Sequence, residues 1–175
     1  MRICTLTASD ATRYRELMLE AYALAADAFT STAEDRALEP ESWWVKRIAD
    51  PEGLGASFGA DDINGLVGTV ALEYSAKPKI KHSALLIGMY VREHARGMGV
   101  GRALLTAALN HASRRPGVEV VRLSVTEGNE RAIRLYQEGG FREWGVQPMA
   151  IGTPSGYKGK VHMWRKLAGH AETAA

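Results

Sequence analysis

The stretch from Gly88 to Leu109 constrains this chain most. An apolar run, Ala84 to Val91, reads as a buried strand, and a helical pattern opens at about Gly99. Between the two stand Arg96, Gly97, Gly99 and Gly101. Glycines at alternate positions expose consecutive backbone N–H groups and leave no side chain in a ligand's way. The helix that follows brings the positive end of its dipole to the same point. Strand, glycine loop and helix start thus compose an anion site, and phosphate is the usual anion. Arg96 and Arg102 add fixed positive charge on either side. The plainer alternative is a tight turn that needs glycine for its backbone alone.

Spacing disfavours two familiar phosphate motifs. A P-loop requires Lys after its second glycine, and Gly101 is followed by Arg102. The dinucleotide fingerprint G-x-G-x-x-G would put its third glycine at position 102 or 104, which hold Arg102 and Leu104. A nucleoside triphosphate and NAD are therefore both disfavoured. At 175 residues the chain is long enough for one domain with a full core. A net charge of +2 gives a general nucleic-acid role no electrostatic support. The single Cys4 leaves no intramolecular disulfide and suits a reducing compartment. No apolar run approaches the roughly 18 residues of a membrane span. The expectation is a cytoplasmic protein with no nucleic-acid and no membrane partner.

Taken in order, Arg2 to Leu6 reads as a short strand. Thr7 and Asp10 have the spacing of a helix start, and the pattern that follows buries Tyr14, Leu17, Met18, Ala21 and Leu24. Ala25 to Glu39 reads as a connection. A second helix opens at Pro40 with Trp43, Trp44, Val45 and Ile48 on its apolar side. Ala56–Ala60 and Leu66–Tyr74 form a hairpin about the Asn64-Gly65 turn. The lysine-rich Ser75–His82 segment then leads into the strand ending at Val91. Beyond the glycine-led helix come a strand (Glu119–Val125), a helix capped by Asn129 and closed by Gly139-Gly140, and a strand over Phe141–Val146. Pro148–Lys160 reads as loop, Val161–Leu167 as the last strand and Ala168–Ala175 as a flexible tail. The pattern predicts an α/β (α+β mixed sheet) fold with helices on both faces, in one domain over residues 1–167.

Two segments carry a resemblance. Val91-Arg92-Glu93-His94-Ala95-Arg96-Gly97-Met98-Gly99-Val100-Gly101 resembles the R/Q-x-x-G-x-G/A motif of the GCN5-related N-acetyltransferases. Asn129 to Phe141 is similar to that family's N-x-x-A-x-x-L-Y-x-x-x-G-F signature, and it too follows a strand. Both motifs occur in the right order, and the element order agrees over residues 1–167. The resemblance implies a GNAT-like fold, a central twisted, mostly antiparallel sheet that splays between its fourth and fifth strands. It also implies acetyl-CoA as co-substrate. The pyrophosphate would lie on the amides of Arg96, Gly97, Met98, Gly99, Val100 and Gly101, with Arg102 nearby. The pantetheine arm would run beside Met89, Tyr90 and Val91, with Asn129 as a hydrogen-bonding partner.

The reaction so implied is direct attack of a neutral amine on the acetyl thioester. It calls for an acid to protonate the departing thiolate, a donor to the carbonyl and a route for the amine's proton. Tyr136, seven residues after Asn129, matches the family's general acid, while its structural reading is a helix aromatic packed on Ile133 and Phe141. Some members place a glutamate base near the position of Ser124. In its absence Glu73, acting through a water, is the first substitute and Glu127 the second, while many relatives need only a water chain. The five histidines show no metal-ligand spacing, so no metal is expected.

The acceptor is expected to be a small-molecule or peptide amine, surrounded by Ala25–Glu39, Ser75–His82 and Pro148–Lys160. Members of the family often pair, so a homodimer is a further expectation. Two alternatives stand beside the acetyltransferase: a non-catalytic CoA-binding or sensing module, and a transferase for a different acyl-CoA.

Overall fold

Residues 1–168 are described in the computed structural model. Seven strands form one sheet: β1 (Arg2–Thr5), β2 (Gly55–Asp62), β3 (Gly65–Glu73), β4 (Ser83–Val91), β5 (Val120–Thr126), β6 (Arg142–Thr153) and β7 (Gly156–Lys166). Their spatial order is β1-β2-β3-β4-β5-β7-β6, with every neighbouring pair antiparallel except β4 and β5. Five helices accompany them: α1 (Ala11–Leu24), α2 (Ala33–Ala37), α3 (Glu41–Ile48), α4 (Val100–Arg114) and α5 (Glu130–Glu138). The mixed sheet with helices on both faces agrees with the reading from sequence.

The core lies on both sides of β3, whose residues Leu66 to Leu72 are all buried. On one face α1 and α3 contribute Tyr14, Leu17, Met18, Trp44 and Ile48. On the other, α4 packs Val100, Leu104, Leu105 and Ala108. Each large apolar side chain buried this way stabilises the fold by about 1.5–3 kcal/mol. At the entry to α1 the Thr7 N–H donates to an Asp10 carboxylate oxygen at 2.7 Å, and a 3₁₀ turn over Ala8–Asp10 precedes the helix proper.

Three details depart from the sequence reading. Leu24 is 74 % exposed, and Tyr22 is buried on α1. The connection Ala25–Glu39 is not all loop. It holds a 3₁₀ turn at Ala26–Ala28 and the short α2, where the Asp35 N–H donates to the Thr32 hydroxyl at 3.1 Å. Pro148–Lys160 is mostly strand: β6 continues to Thr153, and β7 returns from Gly156. Pro148 falls in the break of register between Gln147 and Ile151, where Met149 has φ 52°. A proline lacks the N–H for an unbroken ladder, but an edge strand accepts it at a bulge. The expected tail lies outside the described residues from position 169 onward.

Two irregularities shape the site. The parallel pair β4–β5 is bonded only from Ser83–Leu85 to Val120–Arg122, and beyond that the strands part. In β4, Tyr90 faces Thr69 and Ile87 faces Ala71, so Gly88 and Met89 share the single partner Val70. Gly88 has φ 63°, which only glycine adopts without strain, and the bulge it permits bends β4 where the gap opens.

Candidate active site

The parted ends of β4 and β5 enclose a cavity of about 320 Å³. Its walls are Leu86, Gly88 and Met89 of β4 and Ser124, Val125 and Thr126 of β5. Asn129 and Tyr136 close one side, from the start and the last turn of α5. Tyr22 of the first helix and Phe29 beyond it close the other, their rings edge to face at 5.0 Å.

At the mouth of the gap the chain runs from β4 through a 3₁₀ turn (Glu93–Ala95) into α4. Gly97 and Gly99 have φ 79° and 80°, and a Cβ at either would meet nothing within 4 Å. Glycine adopts this positive φ without strain. Among the described residues, the six N–H groups from Gly97 to Arg102 donate to no backbone or side-chain acceptor. Six free donors at the start of a 15-residue helix fit a diphosphate, because each orphan N–H gains a partner and the dipole favours the charge. Arg96 is held beside this cradle, its Nε donating to the Val91 carbonyl at 2.8 Å and its guanidinium 5.8 Å from the Tyr90 ring centre. Arg102 reaches instead to Glu138 of α5, at 2.6 Å. Met98 lies on the loop surface and is 72 % exposed.

Asn129 caps α5, its side-chain oxygen accepting the Ala132 N–H at 3.2 Å. The cap uses only the carbonyl, so the amide NH2 is free to donate toward the cavity that Asn129 lines. Tyr136 is 5 % exposed, with its ring edge to face against Phe141 at 5.7 Å. Its hydroxyl has no hydrogen-bond partner among the described residues, and burial holds its pKa above the ordinary tyrosine value. The packing on Phe141 expected from sequence is realised, and the same residue lines the cavity.

The two glutamates considered from sequence stand elsewhere. Glu73 lines an adjoining cavity of about 430 Å³, where Arg47 binds its carboxylate at 3.0 Å. The structure does not bring it together with Tyr136. Glu127 accepts the Gly159 N–H at 2.7 Å and ties the end of β5 to β7. Three cavity residues went unmarked in the sequence: Arg36, Arg47 and Lys160. Two of them fall in the segments expected around the acceptor, Arg36 in 25–39 and Lys160 in 148–160. Arg47 gave no signal, because it is one more cation in the last turn of α3. Ser75–His82 contributes no wall. Among the described residues no three His, Cys, Asp or Glu side chains gather as a metal site.

Among the described residues, a mixed sheet opens its one parallel pair beside a helix start with unpartnered amides, an arrangement of the α/β class that suits an extended, phosphate-bearing ligand between two strands. Residues 18–141 match the Acetyltransferase (GNAT) family, and the chain belongs to that family. It is similar to a mycothiol acetyltransferase of Stackebrandtia nassauensis, 34% identical over 138 residues that cover 77% of this chain and 42% of that one. A mycothiol acetyltransferase of Geodermatophilus obscurus is 34% identical over 117 residues, covering 66% and 35%. The chain thus spans less than half the length of these relatives. Two solved structures share the fold. One is yncA from Salmonella typhimurium with its cofactor acetyl-CoA, with TM-score 0.79, 22% identity and coverage of 100% of this chain and 98% of that one. The other is a phosphinothricin acetyltransferase from Sinorhizobium meliloti in complex with acetyl-CoA, with TM-score 0.82, 19% identity and coverage of 99% and 92%.

Proposed function

We propose that this protein is an N-acetyltransferase that moves acetyl from acetyl-CoA to a primary amine by direct attack. The observation that carries the reading is the meeting of two features at one splay: six unpartnered amides at a helix start, and a cavity lined by a buried phenol. Membership of the GNAT family and the names of the relatives support it.

Acetyl-CoA supplies an acetyl group already activated as a thioester. The amides of Gly97 to Arg102 bind its pyrophosphate, with Arg96 and the helix dipole adding to the attraction. The β5-facing edge of β4 beyond Leu85, over Met89, Tyr90 and Val91, offers backbone groups to the pantetheine arm, and Asn129 donates from the opposite side. Tyr136 keeps a proton on its hydroxyl, because burial disfavours the phenolate, and is the general acid for the departing sulfur. The base role is not assigned to Glu73, which Arg47 holds in the adjoining cavity. The cavity's own charge does part of a base's work. Lys160, which no carboxylate pairs among the described residues, raises the cost of an ammonium there and favours the neutral amine, while Arg36 and Arg47 are each paired with a glutamate.

The same reading takes residues 1–167 as one acetyltransferase domain of the cytoplasm. No helix among the described residues is long and apolar enough to cross a membrane. A homodimer is part of the reading, supported by the exposed Trp144, Val146 and Met149 on the edge strand β6. The test is calorimetry with acetyl-CoA followed by thiol release on addition of a panel of primary amines. Binding with turnover is the expected result. Binding without turnover on any amine would make the protein a CoA sensor.

A further inference from the structure

The cavity's charge is one-sided. Three cations line it, Arg36, Arg47 and Lys160, and no carboxylate does. Carboxylates stand behind two of them: Glu39 binds Arg36 at 3.2 Å, and Glu73 binds Arg47 at 3.0 Å. Lys160 has no ion-pair partner among the described residues. The balance left facing the cavity is close to one positive charge. Arg36 is also held from below, its guanidinium 4.5 Å from the Trp43 ring centre and its Nη2 donating to the Ser31 hydroxyl at 2.8 Å. Its Nε is buried with no acceptor.

We propose that this end of the cavity receives the carboxylate of the acceptor, and that the acceptor is a free α-amino acid with an uncharged side chain. This rests on the acetyltransferase reading above. A guanidinium presents a planar fork that matches a carboxylate, and one net positive charge matches a monoanion rather than a phosphate dianion. Met18, Tyr22 and Phe29 line the same cavity and give it an apolar surface suited to a neutral side chain. Pairing the carboxylate also serves the chemistry. In a free amino acid the carboxylate stabilises the neighbouring ammonium, and taking it up among Arg36, Arg47 and the unpaired Lys160 weakens that effect and helps release the amine's proton.

The test compares each of the common neutral amino acids with its own methyl ester, by thiol release with saturating acetyl-CoA. The free acids are expected to give kcat/KM at least about tenfold above the esters, the scale of one lost charge-assisted hydrogen bond. The esters have the weaker amine bases and a larger neutral fraction at a given pH, so a preference for the acid runs against that bias. Arg36→Gln and Arg47→Gln should each narrow the acid-to-ester ratio, with acetyl-CoA affinity by calorimetry as the check that the variants are folded. Equal or better turnover of the esters in the unaltered protein overturns the proposal and leaves the acetyltransferase reading standing. Acetyl-CoA binding with no thiol release from acid, ester or simple alkylamine overturns both.

Discussion

At the scale of the residue, Tyr136 carries the sharpest expectation. Its ring and its hydroxyl do separable things: the ring packs on Phe141, and the hydroxyl has no protein partner among the described residues. Tyr136→Phe keeps the first and deletes the second. Turnover should fall roughly tenfold to a thousandfold, the range of a lost general acid. Acetyl-CoA affinity should hold, and so should the urea midpoint, since no hydrogen bond is broken. Steady-state kinetics beside calorimetry reads both, and unchanged turnover would remove the hydroxyl from the mechanism. Tyr136 was visible in the sequence because it sits inside a contiguous motif. Arg36, Arg47 and Lys160 were not, for a physical reason. They belong to α2, α3 and β7, and only the tertiary fold brings these to one cavity. No local pattern marks a cation whose neighbours are fixed by packing.

At the scale of the element, the cradle depends on how closely the start of α4 approaches β3. Gly68 is the contact point: a Cβ there would lie 3.1 Å from Leu104 Cδ1, 3.1 Å from the Tyr90 carbonyl and 3.3 Å from Val100 Cγ1. The carbonyl belongs to the ladder and cannot swing away as a side-chain methyl can. Gly68→Ala therefore pushes α4 off the sheet by a few tenths of an ångström. The expected cost is about 1–3 kcal/mol in urea unfolding, as for other overpacked sites. Acetyl-CoA affinity should weaken as well, because the moved helix carries the amides. Full affinity in a destabilised variant would show that the cradle does not depend on this packing. Elements also mark where sequence reading failed. Proline and three glycines made Pro148–Lys160 look like loop, but the bulge at Gln147–Ile151 takes up the proline without ending the strand. The hairpin's register is set by pairing across the sheet, which a linear pattern does not contain. The β4–β5 splay, by contrast, was reached only through the family resemblance.

For the whole molecule, the buried tyrosines set an alkaline limit on stability. Tyr14, Tyr22, Tyr74, Tyr90 and Tyr136 are each at most 9 % exposed, and burial raises the pKa of every one. Tyr14 and Tyr74 are pushed up to about 12, against about 10 for an unfolded tyrosine. The sign follows from linkage. Below pH ~10 both states keep the phenol proton and nothing is lost. Above it the unfolded chain ionises and the folded one resists, so stability falls as pH rises toward the folded values. Each such tyrosine contributes about 1.4 kcal/mol per pH unit, so Tyr14 and Tyr74 together remove about 5 kcal/mol by pH ~12. That equals the lower end of a domain's whole stability, about 5–15 kcal/mol, before the other three are counted. The protein should therefore unfold cooperatively between about pH 10 and 12, with tyrosinate absorbance rising in step with the loss of far-ultraviolet dichroism. Absorbance from these five tyrosines that rises near pH ~10 while the dichroism stays native would show them open to water in the folded state.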